Sequence, residues 1–275
     1  MRYTLIFIFI LFFKLNSTAQ TITEWFPAEL NIQPFTAHFL EPKAGFQYLF
    51  KIDKVRIDIG TSHDIIHWIA PEHSFSFGAD FFTFTRARSE VNFKFPVETI
   101  DYLFGVNSSY KNISENEEWG ARLRFSHISA HLVDGYYSSD SGGWLNGREP
   151  FVYSKEFFEL IAYYKIYGLR VYGGITYNIH IIPDENKKGI LQAGFDYYAE
   201  SLRTLLFIPF LAYDFKLSGI HEYSGNNILS AGMKIGQPSS RGFSILASYF
   251  SGKSVHGEFY DLNENYFTIG INLDI

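Results

Sequence analysis

The stretch Trp119–Asp134 (WGARLRFSHISAHLVD) constrains the fold more than any other part of the chain. As a strand it splits into two faces, because successive side chains alternate. Trp119, Ala121, Leu123 and Phe125 share one face; Gly120, Arg122, Arg124 and Ser126 share the other. An apolar face opposite a face with two arginines suits a membrane barrel strand, lipid outside and polar lumen inside. Beyond Ser126 the pattern inverts. His127, Ser129 and His131 continue the apolar parity, and Ile128, Ala130 and Leu132 the polar one. Three polar side chains are therefore expected to face outward near one strand end, unless a bulge resets the register.

Alternation of this kind recurs along the chain. Lys54, Arg56 and Asp58 oppose Val55, Ile57 and Ile59, and Ser74, Ser76 and Asp80 oppose Phe75, Phe77 and Phe81. Arg170, Tyr172, Thr176, Asn178 and His180 oppose Leu169, Val171, Ile175 and Ile179. No helix-period stretch interrupts them, which argues against an α/β fold. Strands are predicted at 47–59, 74–86, 98–108, 118–132, 154–166, 168–181, 189–199, 203–217, 226–236, 242–252 and 264–275. A single-chain bacterial barrel needs an even number, with short turns inside and long loops outside. Counting back from the C-terminus makes 133–153 and 253–263 outer loops and 118–132 an upward, odd-numbered strand. One strand is then missing before Trp119. Glu90–Val97 or a split of 47–69 would supply it, for a total of about twelve. The expectation is an all-β, transmembrane, antiparallel up-and-down barrel over 46–275, with a non-barrel periplasmic lead-in at 20–45. Pro27, Pro34 and Pro42 keep that lead-in from being a regular central strand.

Aromatic residues are 19% of the chain, a share that fits the aromatic girdles of an outer-membrane barrel. Residues 1–19 are expected to be an export signal. Arg2 is its positive region, Leu5–Phe13 an apolar run too short to span a bilayer as a helix, and Ser17-Thr18-Ala19 a small-residue cleavage site. The chain has no cysteine, which excludes disulfides, thiolate metal sites and a lipobox anchor. A net charge of −6 argues against a nucleic-acid partner. The expected location is a bacterial outer membrane. The expected partners are outer-membrane lipid and, during biogenesis, the barrel assembly machinery; no cofactor is expected. Phe267, Ile269, Ile271, Leu273 and Ile275 form a one-faced apolar ladder to the final residue, similar to the assembly signal of such barrels, where an aromatic residue usually stands last.

Two sets of residues carry chemistry. A His-x-Ser pair on one strand face places the imidazole of His127 beside the hydroxyl of Ser129, as a general base needs, and a third group must orient the imidazole. Asp134, Asp140 and Glu149 in the following loop are candidates. The pair resembles that of the outer-membrane phospholipase A and lipid A deacylase barrels, which carry His-x-Ser outward with a third polar residue about a dozen positions later. Asp140 lies near that place, whereas Ala130 stands where those enzymes usually carry Asn. The resemblance implies a lipid acyl hydrolase with His127, Ser129 and Asp140 as its catalytic residues. Other readings stay open: an interfacial hydrogen-bonded patch, a lumen network after a bulge, or a metal pair of His127 and His131, which lacks a completing carboxylate. The second set is Arg56, Arg122, Arg124 and Arg170, predicted in the lumen with Asp58, Asp80 and Asp196 as a plug or constriction. Arg56, Arg122, Arg124 and His131 are the candidate binding residues of a small-solute channel or binding barrel. His63 and His67 read as a loop or helix and are assigned to structure.

A broader resemblance rests on the lead-in Trp25-Phe26-Pro27 to Glu41-Pro42, on His127–Asp134 and on Tyr249–Phe259 (YFSGKSVHGEF). Together these resemble the bacterial family called domain of unknown function 1207, which usually has Gly in place of Val133 and an acidic residue near His38. The resemblance implies an outer-membrane barrel and leaves its molecular role unassigned.

Overall fold

The computed structural model describes residues 21–204, 206–238 and 240–274. Twelve antiparallel strands close into a barrel: β1 (Ala44–Leu49), β2 (Lys54–Ile69), β3 (His73–Arg88), β4 (Val97–Ile113), β5 (Glu117–Leu132), β6 (Tyr153–Ile166), β7 (Leu169–Ile182), β8 (Gly189–Tyr198), β9 (Phe207–Gly219), β10 (Tyr223–Gly236), β11 (Gly242–Lys253) and β12 (Asn263–Asp274). Each pairs with its neighbours in sequence, and β12 closes on β1 from Thr268 opposite Leu49 to Leu273 opposite Ala44. Closure leaves no exposed sheet edge, the condition for a sheet to lie in lipid.

The missing strand is the split of 47–69. Lys51 and Asp53 both adopt positive φ (76° and 51°), which turns the chain between β1 and β2. The Tyr48 hydroxyl, donating to Asp53, braces this turn. Glu90–Val97 forms a connecting loop. The predicted helix or loop at His63–His67 is part of β2. A register shift between Asp64 and Ile66 turns His67 inward, where it bonds Asp64 at 2.7 Å, while His63 stays exposed.

The lead-in also departs from expectation. Ile22–Trp25 forms a short strand on β2, from Ile22 opposite Ile69 to Trp25 opposite Ile66. It uses the part of the β2 edge that the six-residue β1 does not reach. The chain then passes inside and is stitched to successive walls. Asn31 bonds Asp64 at 2.7 Å and Ser109 at 2.8 Å. Arg170 donates to the carbonyls of Gln33 and Pro34 at 2.8 and 2.6 Å. Phe35 is fully buried, 4.4 Å from the Tyr172 ring. Across the middle of the lumen, Arg122 grips both oxygens of Glu41, and Arg124 reaches Glu41 and Glu159 at 3.3 Å and Asp80 at 2.9 Å. Arg56 pairs with Asp58 at 2.7 Å, and Arg170 with Asp196. The predicted lumen arginines thus form an internal charge network, and charges buried this deeply require such partners. From the other end the β11–β12 loop folds down onto the mouth. Asp101 accepts from the Gly257 amide at 2.7 Å and pairs with His256 at 2.8 Å, and Arg86 lies 3.5 Å over the buried Phe259 ring.

Most outward positions are apolar and at least partly exposed. On β12, Phe267, Ile269, Ile271 and Leu273 are 44–50% exposed. A soluble sandwich would bury one such face; here the apolar ring faces out and the charges face in. The predicted signal segment and Ile275 lie outside the described residues.

Candidate active site on the outward face

The pairing of β4 with β5 runs unbroken from Thr99 opposite Leu132 to Ile113 opposite Glu118. No bulge resets the register, so Ile128, Ala130 and Leu132 are buried inward and His127, Ser129 and His131 point out. Ser129 stands opposite Tyr102 on β4 and Ser154 on β6, and His127 stands opposite Phe104 and Glu156. The His127 ring lies 4.9 Å from Phe104, and His131 lies 6.2 Å from Tyr102.

Glu156 is the carboxylate that meets the imidazole. His127 Nδ1 is 2.6 Å from Glu156 Oε1, and His180 Nδ1 is 2.7 Å from Glu156 Oε2. A carboxylate accepts only, so each histidine places its proton on Nδ1. That tautomer leaves the Nε2 lone pair of His127 free, as a general base requires. Ser129 Oγ makes no hydrogen bond to the described residues. It lies two positions along the same face, about 7 Å Cα to Cα, within the reach of an imidazole. Side-chain exposures of 27% for His127 and 30% for Glu156 place the pair at the wall, half-shielded by Phe104.

Asp140, the predicted orienting acid, lies on the exposed β5–β6 loop and forms no ion pair with His127. Arg56, Arg122 and Arg124 face the lumen, on the other side of the wall from His131, so the four predicted binding residues do not form one site. Among the described residues no three histidine, aspartate or glutamate side chains are gathered to hold a metal ion.

Glu156 and His180 were missed for different reasons. Glu156 breaks the apolar parity of β6, between Ser154 and Phe158, just as His127 breaks that of β5; reading the anomalies of adjacent strands together would have found it. His180 was expected in the lumen. A bulge between Asn178 and His180 leaves both Ile179 and His180 exposed and returns Ile181 to the interior. Bulges re-aim a side chain in this way, and alternation alone does not announce them.

No curated protein matches the chain. Among solved structures it is similar to outer membrane phospholipase A from Escherichia coli, at 12% identity and a TM-score of 0.55, covering 88% of this chain and 93% of that one. It is also similar to the beta domain of the Bordetella autotransporter Brka (11% identity, TM-score 0.44, covering 84% and 96%). The first likeness places the fold among outer-membrane barrels and says nothing of activity. A family model described as "Protein of unknown function (DUF1207)" matches residues 97–274, from the start of β4 to the end of β12. That segment carries the outward histidine–glutamate pair and the inward Arg122, Arg124 and Arg170, and with most of its length matched the chain belongs to the DUF1207 family.

Proposed function

We propose that this protein is an integral barrel of the bacterial outer membrane that hydrolyses ester-linked acyl chains of lipids in the outer leaflet. The observation that carries the reading is the His127–Glu156 pair, held outward two positions from Ser129 in a polar cluster with His131, Ser154 and His180 that is bordered by exposed aromatic rings. The long β5–β6 loop marks the outer end. His127 lies five residues below that end of β5, roughly 13 Å at the usual rise and tilt. Phe104, Phe125 and Phe158 around it are 41–52% exposed, a surface suited to acyl chains. The apolar ladder of β12 supports insertion by the barrel assembly machinery.

In the reaction, Ser129 Oγ attacks the ester carbonyl while His127 Nε2 takes its proton. The same proton passes to the departing alcohol, leaving an acyl-serine. Water, deprotonated by His127, then releases the fatty acid and restores Ser129. Glu156 holds the tautomer and stabilises the imidazolium. The outer membrane phospholipase A match supports the scaffold for this reading. The alternative of a small-solute channel has less support, because Glu41 and its arginines lie across the lumen.

The test is hydrolysis of phospholipid and lipid A by the full chain refolded in detergent micelles. Ser129→Ala should lower the rate about 10³-fold or more, and Glu156→Gln by about 10³–10⁴-fold, with heat-modifiable gel migration unchanged. A Ser129→Ala protein as active as the parent would end the reading.

A further inference from the structure

Between the lead-in below and the β11–β12 loop above lies a chamber in the outer half of the lumen. Phe39 and Leu40 form its floor, and Val255 and Tyr260 its roof. Its wall is apolar at Ile128, Phe157 and Ile181 and cationic at Lys155, Lys216 and Lys253. The lysines differ in how they are satisfied. Lys216 donates to His38 at 2.6 Å and faces Glu159 at 3.9 Å, and Lys253 donates to the Asp261 carbonyl at 2.8 Å. Lys155 points inward from β6 and, among the described residues, has no hydrogen-bond acceptor and no carboxylate within ion-pair distance; Asp101 and Glu159 act on it only from farther away. Its ammonium lies 5.5 Å over the ring of the buried Phe157. The side chain of Asn178, 1% exposed, also lines the chamber; its Nδ2 donates to the Lys187 carbonyl, and its Oδ1 is buried without a partner. The two acids of the wall are already engaged, Asp101 by His256 and the Gly257 amide, and Glu159 by Arg124 at 3.3 Å, with His38 and Lys216 close by.

An ammonium with no carboxylate in direct contact, in a chamber whose two acids are engaged elsewhere, is costly unless an anion joins it. Two lining acceptors are buried without a hydrogen-bond partner, Glu159 Oε2, which faces His38 at 3.6 Å and Lys216 at 3.9 Å, and Asn178 Oδ1, which suits a hydroxyl or water carried by that anion. We infer that the chamber is a binding site for a small amphipathic anion, a carboxylate or phosphate head with an apolar body, whose head pairs with Lys155 and whose body lies on Ile128, Phe157 and Ile181. The site is separated by the barrel wall from Ser129 and does not depend on the hydrolase reading. Its rim includes the exposed Lys187 and the contact of Tyr260 with Glu185, so the β7–β8 and β11–β12 loops form the doorway.

The experiment uses the full chain in detergent micelles, with hexanoate, hexyl phosphate, hexanol and inorganic phosphate as probes and saturation-transfer NMR as the readout. Hexanoate or hexyl phosphate should bind at least tenfold more tightly than hexanol or inorganic phosphate; which of the two is tighter identifies the head. Lys155→Met should weaken the preferred probe at least tenfold, about 1.4 kcal/mol, and Lys155→Arg should retain it. Lys111→Met, a cation at the opposite mouth, should leave binding unchanged. Equal binding of hexanol, equal binding by Lys155→Met, or no binding by the parent would each overturn the inference. If Lys155→Met does not fold, a diazirine-bearing hexanoate on the unmodified protein decides. Cross-links at 153–181 and 253–260 support the site, and cross-links confined to the outward face refute it.

Discussion

Removing the Glu41 carboxylate would leave Arg122 and Arg124, 5% and 0% exposed, without the oxygen pair between them. Such a loss costs far more than a surface pair, because the remaining charges stay buried. Glu41→Gln should therefore destabilise the barrel by about 3–5 kcal/mol in urea unfolding from micelles. Glu90→Gln, which breaks a pair with Arg88 on the exposed outer rim, should cost less than about 1 kcal/mol. In the β11–β12 loop, Glu258 behaves in another way. It is 1% exposed, accepts from the Leu132 amide at 3.2 Å and leaves its second oxygen unpartnered. Burial pushes its carboxyl up to about 7. A raised carboxyl favours the folded loop most at pH below the unfolded value near 4.5, and that contribution is lost as pH rises through 7. Hydrogen-exchange protection of the 254–262 amides, corrected for intrinsic rates, should fall as pH rises from about 4.5 to 7 and level off above that. Glu258→Gln should flatten the change; an unchanged slope would assign it to another group.

At the scale of strands, the wall reads as alternation and the exceptions read as sites. Alternation identified eleven segments, and parity identified the twelfth, because an upward β5 demands an odd position. What the sequence hid was geometry without a composition signal. The turn at Lys51–Asp53 is made by non-glycine residues in the left-handed region, and the bulge after Asn178 lies in a run that alternates without interruption on paper. For the candidate site, the His127–Ser129 pair and its outward direction were legible. Its acid was sought forward along the chain, at Asp140, although neighbours in a meander lie across strands, where Glu156 stands. The wall also yields a test of depth in the membrane. Leu123→Arg, in the outward apolar ladder, should destabilise the inserted barrel by about 2–4 kcal/mol, and His131→Arg, near the outer end, by less than about 1 kcal/mol. Equal costs at the two positions, measured by unfolding from lipid bilayers, would contradict the proposed placement.

For the molecule as a whole, wall and filling come from one continuous chain. The lead-in pairs with β2, crosses the lumen to β7 and returns to begin β1, while β12 closes on β1 above the lead-in strand. Two of the hydrophobic clusters take residues from the lead-in, one with Ile32 and Phe35 against Tyr163 and Tyr172 and one with Leu40 against Phe82, Phe84 and Phe157. The residues filling the interior are thus tethered to the first strand of the seam. They enter through the mouth at which that strand begins, so the filling of the barrel and the first strand of its seam belong to one segment of chain.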